Sequence, residues 1–286
     1  TDTGSDLGYT PDPDAETFVP EGYRPEAPVR VVYLGDSITD GVGASEDGLE
    51  YTGLLAHDTS DTWSAWATQD LESLYGELEV IDVSVSGATT DTLIRDQLPA
   101  LDEAIDGSAE GQTIVVITIG GNDMQRAMFP MITASDKDAA YEENIRPMVD
   151  NFEAIADYFA DTDRFPDGTR LYMTNVYEPT DGDGYAEGCL LGVNIATVLP
   201  YLERANADIR AVGEDRGFSV VDLRGHFLGH GHNHDDDSLD AHHPDDPSLW
   251  LADDCIHPND RGHHEIRRLF LTAIDDRPLE APGEAP

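Results

Sequence analysis

Residues 29–39 read VRVVYLGDSIT. The first six form a short apolar run that ends in a glycine, which is typical of a strand covered on both faces. Ser37 follows where this strand ends, and a helix N-terminus is expected to come next. An oxyanion formed there would meet unpaired backbone N–H groups and the positive end of a helix dipole. The position suits a nucleophile, although Gly-Asp-Ser is also a common turn.

Four further apolar runs have the same character, and long segments with helical spacing separate them. The runs lie at 78–83, 113–119, 171–176 and 218–223. Helices are predicted at 63–74, 90–105, 139–160, 199–215 and 261–274, with Pro147 bending the start of the third. This alternation predicts an α/β fold: a three-layer α/β/α sandwich around a five-stranded, doubly wound parallel sheet. In such a sheet, catalytic groups collect at the carboxyl ends of the strands.

The chain divides into a folded domain and two flanking segments. Its 286 residues suit one large domain, which we place at 29–275. Residues 1–28 are predicted to be an acidic extension with little regular structure, and 276–286 a C-terminal tail.

The charge balance excludes several partners. The chain carries 59 Asp and Glu against 16 Lys and Arg, a formal net charge of −43 at pH 7, and Lys137 is its single lysine. Nucleic-acid binding needs basic side chains that replace phosphate counterions, so nucleic acid is excluded and anionic membrane surfaces are disfavoured. The extreme acidity resembles that of proteins adapted to high salt, and an acidic secreted protein from an ordinary habitat is the alternative.

The sequence also leads to expectations about membrane insertion and cellular location. The longest strongly apolar stretch, 114–119, is far shorter than the roughly 20 residues of a membrane helix, so no span is expected. Because the chain starts at Thr1 without a leader, we expect a targeting segment to have been removed and the protein to be secreted or periplasmic, with surface tethering left open.

Four motifs lie at or near predicted strand ends. They are Gly-Asp-Ser-Ile-Thr at 35–39, Ser-Gly-Ala-Thr-Thr at 86–90, Gly-Gly-Asn-Asp at 120–123 and Asp-Cys-Ile-His-Pro at 254–258. Together they closely resemble the signature blocks of the SGNH (GDSL-type) hydrolases, in the family's order. Thr39 stands where the α/β-hydrolase elbow has its second glycine, which favours the SGNH family. The resemblance implies a flavodoxin-like SGNH fold and an esterase that needs no cofactor and no metal.

The resemblance also implies the roles of individual residues. Ser37 would attack an ester carbonyl, with His257 as its base and Asp254 orienting the imidazole. The backbone N–H groups of Ser37 and Gly87 and the side-chain amide of Asn122 would form the oxyanion hole. Each residue also has a structural alternative: Gly87 as a strand end, Asn122 as a helix cap and Asp254 as one more solvated acid.

The predicted function is therefore hydrolysis of carboxylic esters by a serine nucleophile. Family relatives include lipases, thioesterases, carbohydrate deacetylases and lysophospholipases, so the substrate is a small-molecule, lipid or carbohydrate ester. Two alternatives stay open: an acidic surface protein that binds divalent cations, and a metal-dependent phosphoesterase on a similar sheet. The oligomeric state is open as well.

Two further features, the pair of cysteines and the insert before Asp254, lead to separate hypotheses. Cys189 and Cys255 form either one disulfide or two buried free thiols, and a disulfide would tie down the catalytic loop. The insert at 225–253 immediately precedes Asp254, and we expect it to form a lid or wall of the acyl site, with Trp250 as an apolar contact. The alternative is that its histidines bind a metal, and these are His226, His230, His232, His234, His242 and His243.

Overall fold

The structure, a computed structural model, describes residues 29–60, 62–63, 66, 69–105, 111–189 and 192–275. The predicted extension at 1–28 and the predicted tail at 276–286 lie outside these residues.

A five-stranded sheet forms the centre of the fold. Its strands are β1 (Val29–Gly35), β2 (Leu78–Asp82), β3 (Thr113–Thr118), β4 (Thr169–Thr174) and β5 (Ser219–Val221). All neighbours pair in parallel, in the order β2-β1-β3-β4-β5. The chain thus winds to one side of β1 and then crosses to the other, so the switch point lies between β1 and β3. This confirms the predicted doubly wound α/β sandwich.

Helices cover both faces of this sheet. They are α1 (Tyr51–Ala56), α2 (Leu71–Tyr75), α3 (Thr90–Thr92), a π-helical turn (Leu93–Gln97), α4 (Leu98–Ala104), α5 (Gly121–Thr133), α6 (Lys137–Asn144), α7 (Arg146–Phe159), α8 (Leu199–Arg216), α9 (Leu223–Phe227) and α10 (Asp260–Asp275). No helix in the described part of the chain has the length and apolar character needed to cross a bilayer.

Side-chain alternation along β1 shows how the sheet divides the core in two. Val32 and Leu34 belong to a cluster with α4 to α8, whereas Val31 and Tyr33 belong to one with α1, α2, α9 and α10. Every residue of β1 is buried, as expected of a central strand in a parallel sheet. The central strands are therefore anchored from both faces, which fixes the edge where they end.

Two predicted helices differ from the structure, and α1, α5 and α9 were not predicted. Of the helix predicted at 63–74, the described residues form only α2, because Asp70 has an extended backbone and caps the helix by accepting the Ser73 N–H. The helix predicted at 139–160 is divided into α6 and α7 at Ile145, because Pro147 stands in the first turn of α7 and cannot continue a helix from the preceding turn. Helix α5 was not predicted, since it begins with a Gly-Gly-Asn-Asp motif typical of turns and contains Pro130.

Candidate active site

Ser37 lies at the carboxyl end of β1, on the first turn beyond the sheet. Gly35 allows this turn: its φ is +144°, and a Cβ added there would lie 2.3 Å from the carbonyl oxygen of Thr118 on β3. The Asp36 N–H then donates to that same carbonyl at 3.2 Å. The end of β1 therefore lies close against β3, its neighbour in the sheet, which places Ser37 at the switch point.

The helix expected immediately after Ser37 is absent from this described segment. Residues 37–43 form turns, with the Val42 N–H donating to the Ser37 carbonyl at 2.9 Å, and α1 begins only at Tyr51. Gly41 has a φ of +83°, outside the helical region, so the segment cannot continue as an α-helix. The helix N-terminus found among the candidate residues is that of α5, which carries Asn122 in its first turn.

Ser37, His257 and Asp254 form a continuous chain of hydrogen bonds. The Nε2 of His257 lies 2.7 Å from the Oγ of Ser37. The Nδ1 of His257 lies 2.5 Å from the Oδ2 of Asp254. The imidazole thus bridges a hydroxyl 220 residues away and a carboxylate on its own loop, which is the geometry of a nucleophile, a base and an orienting acid.

The loop at residues 252–258, called the base loop below, keeps the Asp254 carboxylate ionised. Burial acts to raise the pKa of Asp254, but hydrogen bonds from the backbone and imidazole of His257 and from the Ile256 N–H outweigh it, so the pKa lies below its usual range. Both backbone N–H groups donate to Oδ1 at 3.0 Å. Oδ2 is thereby left for the imidazole.

The candidate oxyanion residues Ser37, Gly87 and Asn122 line one cavity together with His257. The Asn122 amide donates one N–H to the Ala88 carbonyl at 2.9 Å, which fixes its orientation and leaves its second N–H outside that bond. Gly87 has a φ of +82°, and a Cβ there would meet no atom within 4 Å. A glycine is favoured here by the positive φ, which residues with a Cβ rarely adopt.

Two acids close to Ser37 in the fold or the chain influence each other's charge, the buried Asp36 and the half-buried Asp123. Asp36 directly precedes Ser37 and accepts the Ile38 N–H at 3.1 Å. Burial, opposed by the Ile38 hydrogen bond and reinforced by the charge of Asp123, raises the pKa of Asp36 to about 7. The Asp123 carboxylate accepts from the backbone and hydroxyl of Thr90, at 3.0 and 2.7 Å, which connects α5 to α3 behind the cavity.

Sequence analysis missed two residues that hydrogen-bond to the segments carrying Ser37 and His257. Gln97, in the π-helical turn, donates to the Gly35 carbonyl at 2.7 Å and accepts the Gly35 N–H at 2.9 Å. Tyr177 donates its hydroxyl hydrogen to the carbonyl of Ile256 in the base loop. A single glutamine and a single tyrosine carry no motif, so only tertiary structure identifies them.

The two cysteines are joined as a disulfide between Cys189 and Cys255, with their Cα atoms 5.6 Å apart. The bond connects the turn that holds Cys189 to the base loop, across 66 residues of sequence. Leu251 and Pro258 add an antiparallel bridge at the two ends of the base loop. The base loop is therefore attached to its surroundings at several points.

The insert at 225–253 does not have the predicted position. None of its residues lines the cavity. Trp250 is 3% exposed and stacks on His230, with ring centroids 3.5 Å apart, and contacts Phe227 at 5.4 Å. This corrects the predicted wall or lid: the tryptophan is used inside the core beside α10, so the insert supports the base loop from behind.

The cavity has a volume of about 550 Å³ and is mainly apolar. Its apolar side chains come from the segments after β1, β3 and β4, from α5, from α8 and the residues before it, from the first residue of α9 and from the base loop. They are Ile38, Val42, Ile119, Met124, Met128, Val176, Tyr177, Pro179, Ile195, Val198, Leu199, Leu202, Leu223 and Ile256. No lysine or arginine is among the lining residues that the structure describes. An aliphatic group fits this lining better than an anion does.

Comparison with known proteins identifies the class of molecule. The sequence profile of the GDSL-like lipase/acylhydrolase family matches residues 33–265. An extracellular lipase from Streptomyces rimosus has a similar structure, with a TM-score of 0.53 and 21% identity over 87% of this chain and 100% of that one.

Two further structures share the fold. The acetyl xylan esterase AlAXEase gives a TM-score of 0.53 at 16% identity, covering 86% of this chain and 99% of that one. The esterase EstA from Pseudoalteromonas, in a structure inhibited by monoethylphosphonate, gives a TM-score of 0.51 at 18% identity. The match covers 86% of this chain and 97% of that one. A search of curated protein sequences finds no match.

The fold and family profile define an α/β carboxylic ester hydrolase. The chain belongs to the GDSL-like lipase/acylhydrolase family.

Proposed function

We propose that the protein hydrolyses carboxylic esters through an acyl-enzyme on Ser37. The observation that carries the proposal is the hydrogen-bond chain from the Ser37 hydroxyl through His257 to Asp254, at the edge of an apolar cavity. His257 accepts the hydroxyl proton as Oγ attacks the ester carbonyl, and then donates it to the departing alcohol. A water molecule, deprotonated by His257, releases the acid and restores Ser37.

The oxyanion of each tetrahedral intermediate is assigned to the donors beside Ser37. These are the N–H groups of Ser37 and Gly87 and the second N–H of the Asn122 amide, since all three residues line the cavity that Ser37 faces. Removing one such donor typically raises the barrier by about 3 kcal/mol. The N-terminus of α5 adds a favourable dipole for negative charge at Asn122.

The cavity further supports a substrate with an aliphatic acyl chain longer than acetyl and a neutral alcohol group. Met128 lies six residues beyond Asn122 on α5, which places it about 9 Å further along the helix axis. An acetyl group would leave that part of the cavity unfilled. No lysine or arginine of the described chain lines the cavity, so a phosphate-bearing alcohol would have no cation to pair with it.

Active-site variants test the proposed chemistry. Ser37→Ala and His257→Ala should each lower kcat for a p-nitrophenyl ester by about 10⁴-fold or more while leaving the melting temperature nearly unchanged. Ser84→Ala, which removes a hydroxyl outside the cavity, should keep wild-type rates. Ester hydrolysis that survives Ser37→Ala but disappears with a chelator would instead indicate a metal-dependent reaction and contradict the assignment of Ser37.

A series of p-nitrophenyl esters from acetate to laurate tests the substrate. Each added methylene buried in the cavity contributes about 0.8 kcal/mol, or roughly fourfold in kcat/KM until the cavity is filled. Met128→Trp should shift the optimum to shorter chains. Phe129→Trp is the matched control, because Phe129 is 74% exposed on the same helix. A maximum at acetate would favour a carbohydrate deacetylase and contradict the aliphatic assignment.

We also place the protein outside the cytosol. The Cys189–Cys255 disulfide is of a kind that persists in oxidising compartments, and the similar lipase from Streptomyces rimosus is extracellular. Fractionation of the native host with an antibody against the protein tests the assignment, and recovery in the cytosolic fraction alone would contradict it.

A further inference from the structure

Three side chains with soft or borderline metal-binding atoms meet at the base loop. The Sγ atoms of Cys189 and Cys255 and a ring nitrogen of His232 all lie within 4.8 Å of one another. Among the described residues, no other group of three His, Cys, Asp or Glu side chains is gathered so that it could hold an ion. The three residues come from three separate segments, so neither their spacing nor a motif brings them together.

His232 differs from the other histidines of the insert. Its Nε2 is buried and has no hydrogen-bond partner in the described part of the chain. Its neighbours instead use a ring nitrogen to hold the insert together: that of His230 lies 3.0 Å from the Ser248 carbonyl, and that of His234 lies 2.7 Å from the Pro247 carbonyl. A buried nitrogen without a partner is costly and calls for an explanation. A role as a metal ligand would explain the unpaired nitrogen of an imidazole beside two sulfur atoms.

We propose that Cys189, Cys255 and His232 form a Zn²⁺ site when the disulfide is reduced. Two sulfurs and one imidazole are a donor set that zinc prefers, and a water molecule completes its tetrahedral shell. An external dithiol or phosphine supplies two electrons, and two protons from water convert the S–S bond to two thiols. Zinc binding then releases both thiol protons to solvent and forms two Zn–S bonds and one Zn–N bond.

The metal replaces the covalent attachment of the base loop under reducing conditions. Cys255 lies between Asp254 and His257, so whatever holds its sulfur also holds the loop that carries both side chains. The disulfide joins two segments, whereas the zinc site joins three, because His232 brings in the insert. The proposed zinc site does not depend on the proposed ester chemistry.

Cobalt binding distinguishes this site from the acidic surface. With a net charge of −43, the chain attracts divalent cations to its carboxylates, but only thiolate ligands give a sulfur-to-cobalt charge-transfer absorption band. The full chain is reduced with a phosphine, desalted without oxygen and titrated with Co²⁺. The proposal predicts one Co²⁺ per chain with this band, and displacement of Co²⁺ by Zn²⁺. The oxidised protein has the same carboxylates and should show no band.

Thermal unfolding provides a second measurement. Saturating Zn²⁺ should raise the melting temperature of the reduced protein by about 5 °C or more, because the metal binds the folded state. The oxidised protein should not gain this shift. If the reduced chain is unfolded without metal, circular dichroism should show that Zn²⁺ refolds it.

Single substitutions assign the ligands. Cys189→Ser should weaken the charge-transfer band, and His232→Ala should lower Co²⁺ affinity at least tenfold. His242→Ala, which removes another histidine of the insert, is the matched control and should leave affinity unchanged. A reduced chain with no charge-transfer band, or a band whose affinity is the same in His232→Ala, would overturn the proposal.

Discussion

Ser37 and His257, the proposed nucleophile and base, are held in place by different means. Ser37 follows a central strand, and its position is set by backbone contacts of β1 with β3 and by Gln97 at Gly35. His257 lies on an irregular loop held by a disulfide, the Tyr177 hydroxyl and the bridge between Leu251 and Pro258. The comparison shows that half of the site is a product of sheet topology and half depends on side chains distant in sequence.

Among the variants that test this comparison, the largest loss of activity is expected for a substitution in the base loop. Asp254→Asn removes the charge that orients His257 and stabilises the imidazolium, so kcat should fall by about 10³–10⁴-fold. The melting temperature should change little, because Asn retains an oxygen for the two backbone N–H donors at Oδ1. Steady-state kinetics on a short-chain ester measure the effect. A loss below tenfold would mean that Asp254 is not the orienting acid.

Gln97→Leu tests the nucleophile side. It leaves the buried N–H and C=O of Gly35 without their side-chain partner, which costs roughly 2–4 kcal/mol in unfolding free energy. A displacement of Ser37 by about 1 Å would lower kcat about 100-fold. Urea unfolding and kinetics on the same preparation measure both. If stability falls but kcat is retained, Gln97 supports the fold without positioning Ser37.

Tyr177→Phe tests one attachment of the base loop. It removes the hydrogen bond to the Ile256 carbonyl, so kcat should fall only about three- to tenfold while the disulfide remains, since a hydrogen bond of this kind contributes about 1 kcal/mol. In a background with both cysteines changed to serine, the same substitution should cost more. Equal losses in the two backgrounds would show that the attachments act independently.

The helix that follows the base loop, α10, is expected to make the stability of the fold depend on acid pH. Burial acts to raise the pKa of Glu265, but His226 and the charges of Arg268 and Arg261 lower it to about 2. A depressed pKa means that Glu265 stabilises the fold above its ordinary pKa of 4.5. This contribution is lost as the pH falls from about 4.5 to 2.

Glu265→Gln should therefore reduce the unfolding free energy by roughly 2–3 kcal/mol at pH 7, less than for a fully buried pair because Arg261 and Arg268 reach solvent. The difference between wild type and variant should shrink as the pH falls below 4.5. Urea unfolding at pH 7, 4 and 3 measures it. A difference that stays constant with pH would contradict the assignment.

The smallest expected effect is that of salt on the melting temperature, and it applies to the segments of Ser37 and His257 alike. With a net charge of −43, self-repulsion destabilises the folded state, and salt screens it over a Debye length of about 10 Å at 0.1 M. The melting temperature should rise by a few degrees between 0.05 and 1 M NaCl. Over this range the Debye length falls from about 14 Å to about 3 Å. A melting temperature that falls with salt would argue against salt adaptation.

The segment of Ser37 and the base loop also differ in how the sequence predicts them. Ser37, Gly87 and Asn122 follow strands of a parallel sheet, whose carboxyl ends must meet at one edge, so their shared cavity was foreseeable. His257 and Asp254 were predicted from a motif, and the structure brings them to Ser37, while their catalytic roles stay a proposal.

The features that were not predicted depend on tertiary contacts. Gln97 makes two hydrogen bonds to the backbone of Gly35, 62 residues away, and Tyr177 makes one to the backbone of Ile256, 79 residues away. No local pattern records such contacts. Trp250 was predicted at the cavity because it is a large apolar side chain close in sequence to Asp254. The stack with His230 buries it elsewhere, and sequence proximity could not show this.

Covalent labelling tests the central proposal most directly. The protein is treated with an ethylphosphonate or a sulfonyl fluoride, and the modified peptide is located by mass spectrometry alongside residual ester hydrolysis. We expect one adduct per chain, on Ser37, with loss of activity in proportion to labelling and much slower labelling in His257→Ala. An inactivated enzyme whose adduct lies on another residue, or one that is fully labelled at Ser37 and still active, would contradict the account.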